Sequence, residues 1–262
     1  SWSARGVRFV GSVWVGADVR MGKEAADKRL VSEMRAEGGQ AVAVGQDRMQ
    51  SGGGSQLAMK AAEIIGSNDT LLLSATIQYH IPFLQQTADN IADQFRINLL
   101  SNIELLQAVL PTMVRSGYGR ILTIGSIQEV SPTAEMPIYS MSKSAMKNLV
   151  ENLAVQSARQ GVIINNIAPG LIQTDRNAFR RQDMEDWQRV QSQANPVGRA
   201  GLPEDLTATA MHLLSPENTF TTGATLYATG GSHIPNAGGD NHLELVLPKD
   251  DPDKSVVGAA KN

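Results

Sequence analysis

Short apolar runs alternate along the chain with longer segments in which apolar residues recur at helical spacing. The apolar runs predict strands at residues 13–15, 41–44, 70–73, 120–124, 162–167 and 225–228. The helical spacing predicts helices over 22–37, 89–113 and 139–159. Strands and helices that alternate in this way are typical of a parallel sheet covered by helices. The continuous apolar run at 70–73 agrees, because strands of such a sheet are buried on both faces.

Length and composition place this sheet in one domain. The chain has 262 residues, of which 42% are hydrophobic and 19% are charged, and these values suit one large α/β domain. From residue 236 the pattern changes to a glycine pair and a run of mixed charge. We therefore predict a domain over 1–235 and a C-terminal tail over 236–262, which is either loose or docked on a partner subunit.

Charge and residue usage argue against several classes of function. A net charge of -3 gives no basic footprint for nucleic acid. The chain has no cysteine, which excludes disulfides, thiolate catalysis and cysteine-ligated metals. Its histidines have no ligand spacing, so we expect no catalytic metal. No apolar run approaches the ~18 residues of a membrane span. We expect a cytoplasmic protein that binds neither nucleic acid nor membranes.

Tyr139 and Lys143 lie four residues apart on a predicted helix and so share one face. A phenol has a reference pKa of about 10 and is a poor base near neutrality. A neighbouring ammonium favours the phenolate, so the pair could exchange a proton with an alcohol or carbonyl oxygen. The same spacing also occurs on ordinary helix surfaces, so by itself it is weak support.

Two further polar residues strengthen this interpretation. Ser126 follows the strand predicted at 120–124, at the carboxyl end where parallel sheets bind ligands, although a serine after Gly125 also suits a plain turn. Asn98 lies inside the helix predicted over 89–113, where asparagine lowers helix propensity and needs a reason. A core amide satisfied by backbone groups is the alternative interpretation of Asn98.

Ser126, Tyr139 and Lys143, with Asn98 upstream, resemble the catalytic tetrad of the short-chain dehydrogenase/reductase family. Matching stretches follow one another in the family's order over about residues 11–235: they are 119–126, 139–143, 165–170 with Thr174, 195–199 followed by 203–205, and 222–225 leading to 230–231. Several spaced motifs are far more specific than a lone Tyr-x-x-x-Lys. The resemblance implies an α/β fold with a Rossmann-like, doubly wound parallel sheet in three layers.

The resemblance also implies a role for each matching residue. Tyr139 is the acid/base, Lys143 assists it and holds the nicotinamide ribose, Ser126 orients the substrate oxygen, and Asn98 anchors a water of a proton relay. The residues expected to bind an NAD or NADP cofactor are Asp18, Asp47, Ala75, Tyr139, Lys143, Pro169, Gly170, Ile172 and Thr174.

Two features depart from the family pattern. The family's first strand and glycine-rich turn, which receive the cofactor pyrophosphate at a helix N-terminus, are not recognisable here, and we predict the glycines at 52–54 to be a flexible loop and not a phosphate loop. After the strand at 70–73, only Ala75 of the family's Asn-Asn-Ala-Gly is kept. Either an N-terminal segment is missing from this sequence, or the chain has lost its cofactor-binding site and keeps the fold for another function.

The preferred cofactor depends on Asp18. A carboxylate at the end of this strand can accept hydrogen bonds from the ribose hydroxyls of NAD and repels a 2′-phosphate. Arg20 would instead favour NADP. We predict NAD.

The expected function is an NAD(P)-dependent oxidoreductase that interconverts a secondary alcohol and a ketone, with a sugar acid, polyol or 3-oxoacyl group as substrate. A non-catalytic binding or assembly subunit is one alternative, and a related lyase that uses Tyr139 without net redox change is another. The apolar faces of the helices at 89–113 and 139–159 suggest a homodimer or homotetramer.

The charged segment 175–200 corresponds to the family's lid over the substrate. Its arginines, which include Arg180 and Arg181, could meet an anionic substrate, or the segment could be an ordinary solvated helical face. Phe179 and Trp187 could cap the pocket.

Overall fold

Parallel strands and helices alternate along the chain, as the sequence predicts. The structure, a computed structural model, describes residues 8–13, 23–36, 38, 40–66 and 69–235. The strands and α-helices described, in chain order, are β1 (Arg8–Val13), α1 (Lys23–Ala36), β2 (Gln40–Val44), α2 (Gly53–Ile65), β3 (Thr70–Leu73), α3 (Ala88–Phe95), α4 (Ser101–Ser116), β4 (Gly119–Ile124), α5 (Pro137–Ser157), β5 (Val162–Pro169), α6 (Met184–Ala194), α7 (Thr207–Leu214) and β6 (Thr225–Ala228). A π-helical turn, Arg96–Leu100, joins α3 to α4.

The strands described form two parallel sheets. β1 pairs with β2, and the larger sheet has the order β3-β4-β5-β6. A doubly wound sheet has the strand order 3-2-1-4-5-6. If β1 and β2 occupy its second and third places, the break between the two sheets falls where that order has its first strand. On that assignment the two strand orders fit the doubly wound topology.

The first strand begins earlier than the sequence pattern indicates. β1 begins at Arg8 and not at residue 13, because the segment Arg8–Val13 pairs in parallel with Gln40–Val44. Residues 14–22, which include Asp18 and Arg20, lie outside the described residues, and so does the C-terminal tail predicted over 236–262.

Two apolar clusters cover the two faces of the larger sheet. On one face, α2, α4 and α5 pack against the strands through a cluster that includes Leu106, Val150 and Ile164. On the other face, Leu122 and Ile167 contact Leu213 and Leu214 of α7. β4 and β5 are buried along almost their whole length. The result is the three-layer arrangement predicted, with β4 and β5 at its centre.

The continuous helix Ala88–Ser116 is long and apolar enough, by length and composition alone, to cross a membrane. Its buried residues Leu105, Leu106, Val109 and Met113 belong to the core cluster that packs on the sheet. A core helix passes the same test of length and composition, and these contacts are those of a core helix.

The glycines at 52–54 are not the flexible loop that the sequence predicts, because Gly53 and Gly54 open α2 and pack tightly. The Glu104 carboxylate accepts hydrogen bonds from the N–H groups of Gly52 and Gly54, both at 3.0 Å. Burial raises the pKa of Glu104, but these two hydrogen bonds and Arg96 outweigh burial and hold it below its usual value. A protein carboxylate therefore occupies the position that a phosphate would take in a phosphate loop.

Substitution of Gly54 by alanine is expected to destabilise the protein. The added Cβ would collide with the Ser101 carbonyl oxygen and come within 2.9 Å of Glu104 Cβ. Overpacking of this kind costs about 1–3 kcal/mol, which exceeds the ~1 kcal/mol that alanine gains over glycine in a helix. Urea denaturation should show a lower free energy of unfolding for Gly54→Ala.

Gly45→Ala is the matched control, because a Cβ at Gly45 meets nothing within 4 Å and surface substitutions change stability by less than about 0.5 kcal/mol. Equal stability of the two variants would contradict the close packing of α2 on α4.

Candidate active site

The candidate catalytic residues lie at the carboxyl ends of β3 to β5. Parallel strands bring their following loops to one edge of a sheet, and the first turns of α5 lie at this edge. The four residues predicted from the sequence are all buried, with exposed fractions of 2% for Asn98, 6% for Tyr139, 6% for Lys143 and 8% for Ser126. They are contributed by the π-helical turn, by α5 and by the turn after β4.

Tyr139 and Lys143 lie in the first two turns of α5, which begins with a proline at its N-terminus, a position that suits proline. Lys143 Nζ lies 5.7 Å from the centroid of the Tyr139 ring. The same Nζ donates a hydrogen bond of 2.7 Å to the carbonyl oxygen of Ile124 at the end of β4. The ammonium is thereby held beside the phenol, two residues before Ser126.

Ser126 has an extended backbone and begins a short 3₁₀ turn, Ile127–Glu129. Its Oγ accepts a hydrogen bond of 3.2 Å from the N–H of Gln128. The Gln128 side chain in turn accepts a bond of 2.8 Å from the Ser140 hydroxyl on α5, next to Tyr139. Because Ser126 Oγ acts as an acceptor in this bond, the hydroxyl can still donate to another oxygen.

Asn98 lies in the π-helical turn, and all four hydrogen-bonding positions of its amide are used. Oδ1 accepts from Thr76 Oγ1 and from the N–H of Ile77, both at 2.8 Å. Nδ2 donates to the carbonyl oxygen of Ile77 at 2.9 Å and to Ser142 Oγ at 3.1 Å. These bonds explain an asparagine inside a long helix. A relay water finds no open position on this amide, and that role of Asn98 stays a prediction.

Two residues expected to bind the cofactor, Asp47 near its adenine and Ala75, lie in the loops after β2 and β3. Asp47 follows β2, and its carboxylate accepts from the N–H of Met49 at 2.9 Å and from Gln50 Nε2 at 3.4 Å. Ala75 follows β3 and precedes Thr76, which donates to Asn98. The structure therefore places Ala75 beside the candidate catalytic residues, whereas Asp47 lies in the loop after β2 of the smaller sheet.

The loop after β5 is fixed by contacts with two later segments. A Cβ at Gly170 would lie 2.9 Å from Thr229 Cα, so glycine is needed for this approach. Ile172 forms a β-bridge with Gly201, and Thr174 begins the next 3₁₀ segment. Since this loop follows β5 at the edge that carries Tyr139 and Lys143, these residues fit the nicotinamide-ribose end of a dinucleotide.

Glu129 is a site residue that the sequence reasoning missed. Its Oε1 accepts from the N–H of Ser126 at 3.0 Å, and its Oε2 accepts from Asn166 Nδ2 at 2.9 Å. Burial raises the pKa of Glu129 to about 7, although the Ser126 N–H, Lys143 and other neighbours oppose the rise. The Ser-x-x-Glu spacing of a capping box was a signal that could have identified it.

Arg48 is the second residue that the sequence reasoning missed. Its side chain, 1% exposed, donates to Ser101 Oγ and, at 2.5 Å, to Asn102 Oδ1, and Asn102 Nδ2 donates to the Asn98 carbonyl oxygen at 2.9 Å. Burial, aided by the charge of Arg96, lowers the pKa of Arg48 to about 10. The contact joins the loop that carries Asp47 to the start of α4. No local pattern in the sequence indicates it.

Three arginines of the segment 175–200 have partners within the segment or directly beside it. Arg181 donates to the Thr174 carbonyl oxygen at 3.0 Å, Arg189 pairs with Asp186, and Arg180 lies 5.8 Å from the centroid of the Phe179 ring. These contacts favour the interpretation of a solvated face over that of an anion-binding lid. In the same segment, Phe179 is 60% exposed whereas Trp187 is only 2% exposed. Trp187 therefore anchors α6 in the interior and does not cap a pocket.

Comparisons with known proteins cover most of the chain. A family model described as Enoyl-(Acyl carrier protein) reductase matches residues 15–233. The L-rhamnose 1-dehydrogenase (NAD(P)(+)) of Sphingomonas sp. (strain SKA58) is 29% identical over 229 residues, which are 86% of this chain and 90% of that protein. The 7alpha-hydroxysteroid dehydrogenase of Escherichia coli (strain K12) is 33% identical over 218 residues, 82% of this chain and 84% of that protein.

Solved structures show the same likeness in three dimensions. The crystal structure of a 3-oxoacyl (acyl-carrier-protein) reductase from Agrobacterium tumefaciens C58, with NADP bound, has a TM-score of 0.76 and 35% sequence identity. The match covers 84% of this chain and 83% of that chain. The similarity thus extends across the sheet, the helices and the candidate site.

Removal of the Asn98 amide is expected to lower the stability of the protein. Asn98→Ala leaves the N–H and the carbonyl oxygen of Ile77 without the partners described above, and an unsatisfied buried polar group costs about 1–3 kcal/mol. Urea denaturation should show a loss of that size. Asn152→Ala is the control, since Asn152 is exposed on α5 and donates only to Asn148. If both variants lost the same stability, the amide would not be the central contact inferred here.

Proposed function

Because the chain belongs to the short-chain dehydrogenase/reductase family, we propose that it is an NAD(P)-dependent oxidoreductase that interconverts a secondary alcohol and a ketone, with Tyr139 as the acid/base. The observation that carries the proposal is the hydrogen bond from Lys143 Nζ to Ile124. This bond keeps an ammonium beside the Tyr139 ring at the end of β4, and so groups phenol, ammonium and the Ser126 hydroxyl in one buried cluster.

Each residue of this cluster has a distinct task in the proposed chemistry. When bound, the nicotinamide supplies the hydride chemistry. In alcohol oxidation, Tyr139 as the phenolate accepts the hydroxyl proton of the substrate, and in ketone reduction its hydroxyl returns a proton to the oxygen. The charge of Lys143 favours the phenolate. The Ser126 hydroxyl donates to the same substrate oxygen and orients it.

The cofactor is held in two parts in this proposal. Lys143 and Tyr139, with the loop that contains Pro169, Gly170, Ile172 and Thr174, hold the nicotinamide and its ribose. Asp47 lies toward the adenosine end, and Ala75 belongs to the loop after β3 that supports the cofactor beside the candidate catalytic residues. We retain NAD as the preferred form because of the Asp18 carboxylate, whereas the relatives named above include an NAD(P)(+) enzyme and a structure with NADP.

The proposed substrate carries a secondary hydroxyl or a ketone and is a sugar acid, a polyol or a 3-oxoacyl compound. The name of one relative, a 3-oxoacyl reductase, supports the acyl part of this range. The rhamnose dehydrogenase acts on a sugar by its name and adds that class to the range. The third is a hydroxysteroid dehydrogenase, which adds a bulkier alcohol to the set that should be assayed.

We also propose a homodimer or homotetramer, assembled through the helix Ala88–Ser116 and α5. Apolar side chains on these helices are exposed in the single chain, with exposed fractions of 46% for Leu100, 48% for Met141 and 84% for Val155. Light scattering is expected to give a mass at least twice the 28.1 kDa of one chain. A monomer mass would rule this assembly out.

A non-catalytic binding or assembly subunit is the second candidate function. The segment Leu73 to Thr76, which departs from the family's Asn-Asn-Ala-Gly, favours it. Such a subunit would not bind the cofactor. A related lyase would bind substrate at Tyr139 but would show no net oxidation or reduction.

Cofactor binding and turnover separate these functions. Calorimetry with NAD and NADP should detect binding at millimolar cofactor or below, and an alcohol and ketone panel should give turnover. Tyr139→Phe removes the acid/base and should lower kcat/KM by at least ~100-fold, while calorimetry should still detect cofactor binding.

Tyr118→Phe is the control, since Tyr118 precedes the opposite, amino end of β4 and should leave kcat/KM unchanged. A Tyr139→Phe variant that kept its rate would refute the role of Tyr139. No binding of either cofactor by the unaltered chain would favour the non-catalytic subunit.

A further inference from the structure

Glu129 lies directly behind Ser126, and the chemistry proposed above does not use it. One carboxylate oxygen accepts from the Ser126 N–H and the other from Asn166 Nδ2 on β5, at 3.0 and 2.9 Å. Asn166 is itself fixed, because its Oδ1 accepts from Thr123 Oγ1 of β4 at 2.7 Å. The carboxylate therefore connects the candidate catalytic serine to both central strands.

Space for this carboxylate exists because residue 125 is glycine. A Cβ at Gly125 would overlap the Glu129 Oε1 atom and would lie 2.7 Å from Asn166 Oδ1. The Gly125 N–H donates to the carbonyl oxygen of Ile167 at 2.7 Å, so the backbone cannot simply move away. The carboxylate thus fills a built position between β4 and β5.

The charged groups that face Glu129 come from α5. Lys143 and Lys147 both act on its carboxylate. Lys147 also pairs with Glu151 at 2.5 Å and faces Tyr227 of β6. At this point β4 and β5 contribute only uncharged side chains, those of Thr123 and Asn166. Lys143 is therefore both the candidate catalytic lysine and a counter-charge of Glu129.

We propose that Glu129 is a positioning residue of this site, whose carboxylate holds Ser126 in place and supplies a counter-charge to Lys143, and whose protonation loosens both contacts. Its effect on turnover rests on the proposed function, whereas its hold on Ser126 does not. Both oxygens face N–H donors, so a proton on either oxygen places a donor against a donor. Burial that raises the pKa of Glu129 to about 7 makes this change occur near neutrality.

A glutamate that only capped the short turn would account for fewer of these contacts. Capping requires the hydrogen bond to Ser126, but it requires neither the bond to Asn166 nor the proximity of Lys143. A cap would affect stability and leave the pH dependence of the reaction unchanged, so the test needs a readout that follows the charge of Glu129.

The first measurement follows the backbone amide of Ser126 by ¹H–¹⁵N NMR in the full chain between pH 5.5 and 8.5. This N–H donates directly to the carboxylate, so its shift should titrate with a midpoint near 7. Glu129→Gln should abolish the titration. The carbonyl oxygen of the glutamine side chain still accepts from the Ser126 N–H. Its NH₂ group can donate to Asn166 Oδ1 if the Asn166 amide is reversed, because the Thr123 hydroxyl can then accept a hydrogen bond instead of donating one.

The thermal midpoint gives a second readout that requires no cofactor. Because burial raises the pKa of Glu129 in the folded state, proton binding to this carboxyl favours the folded chain even though it loosens the two local contacts. This contribution is complete below the ordinary value of about 4.5 and is lost as the pH rises through about 7. The thermal midpoint of Glu129→Gln should therefore lack this part of the pH dependence. Glu63→Gln, at an exposed position of α2, is the matched control and should behave like the unaltered chain in both measurements.

Turnover gives the third readout. In the unaltered chain kcat/KM should fall as the pH drops below the midpoint of Glu129, and this acid limb should be absent or displaced in Glu129→Gln. If the Ser126 amide does not titrate, or titrates equally in Glu129→Gln, the proposal is overturned. If the acid limb of kcat/KM is unchanged in that variant, Glu129 only caps the short turn and has no positioning role in the reaction. If the chain binds no cofactor, the proposed function is refuted. The NMR titration still tests the hydrogen bond between Glu129 and Ser126.

Discussion

The amide of Asn98 is the contact on which the arrangement of the site depends. It hydrogen-bonds the backbone of Ile77 after β3 and the hydroxyl of Ser142 on α5, so three separate elements meet at one side chain. The π-helical turn Arg96–Leu100 carries it. Since each buried polar group must find a partner, the loop after β3, the long helix and α5 can adopt few other relative positions.

Two further polar contacts extend this arrangement across the sheet. On one side, Arg48 in the loop after β2 donates a hydrogen bond to Asn102 at the start of α4. Asn102 in turn donates to the carbonyl oxygen of Asn98. On the other side, Glu129 joins the turn after β4 to β5. Such contacts stabilise little beyond the cost of burying their own groups. Their effect is to hold Tyr139, Lys143 and Ser126 in defined positions, which acid–base chemistry requires.

The described residues include many of those expected to contact the nicotinamide end of the cofactor and few of those expected at the adenosine end. The nicotinamide end has a buried tyrosine, lysine and serine and a loop after β5 that Gly201 fixes. At the other end, Asp47 lies in the loop after β2 of the smaller sheet. The proton-transfer part of the proposed function therefore rests on observed contacts, and the choice between NAD and NADP rests on Asp18, outside the described residues.

The sequence by itself determined those features that depend on local spacing. The alternation of strands and helices, the shared face of Tyr139 and Lys143, and the position of Ser126 after a strand follow from periods of 2 and 3.6 residues, which neighbours along the chain set by themselves. Tertiary structure alone decided the contact of Arg48 with Ser101, 53 residues away, and the capping of α2 by Glu104 at 52–54. It also decided the charge environment of Glu129, because burial and the approach of distant groups arise only when the elements pack together.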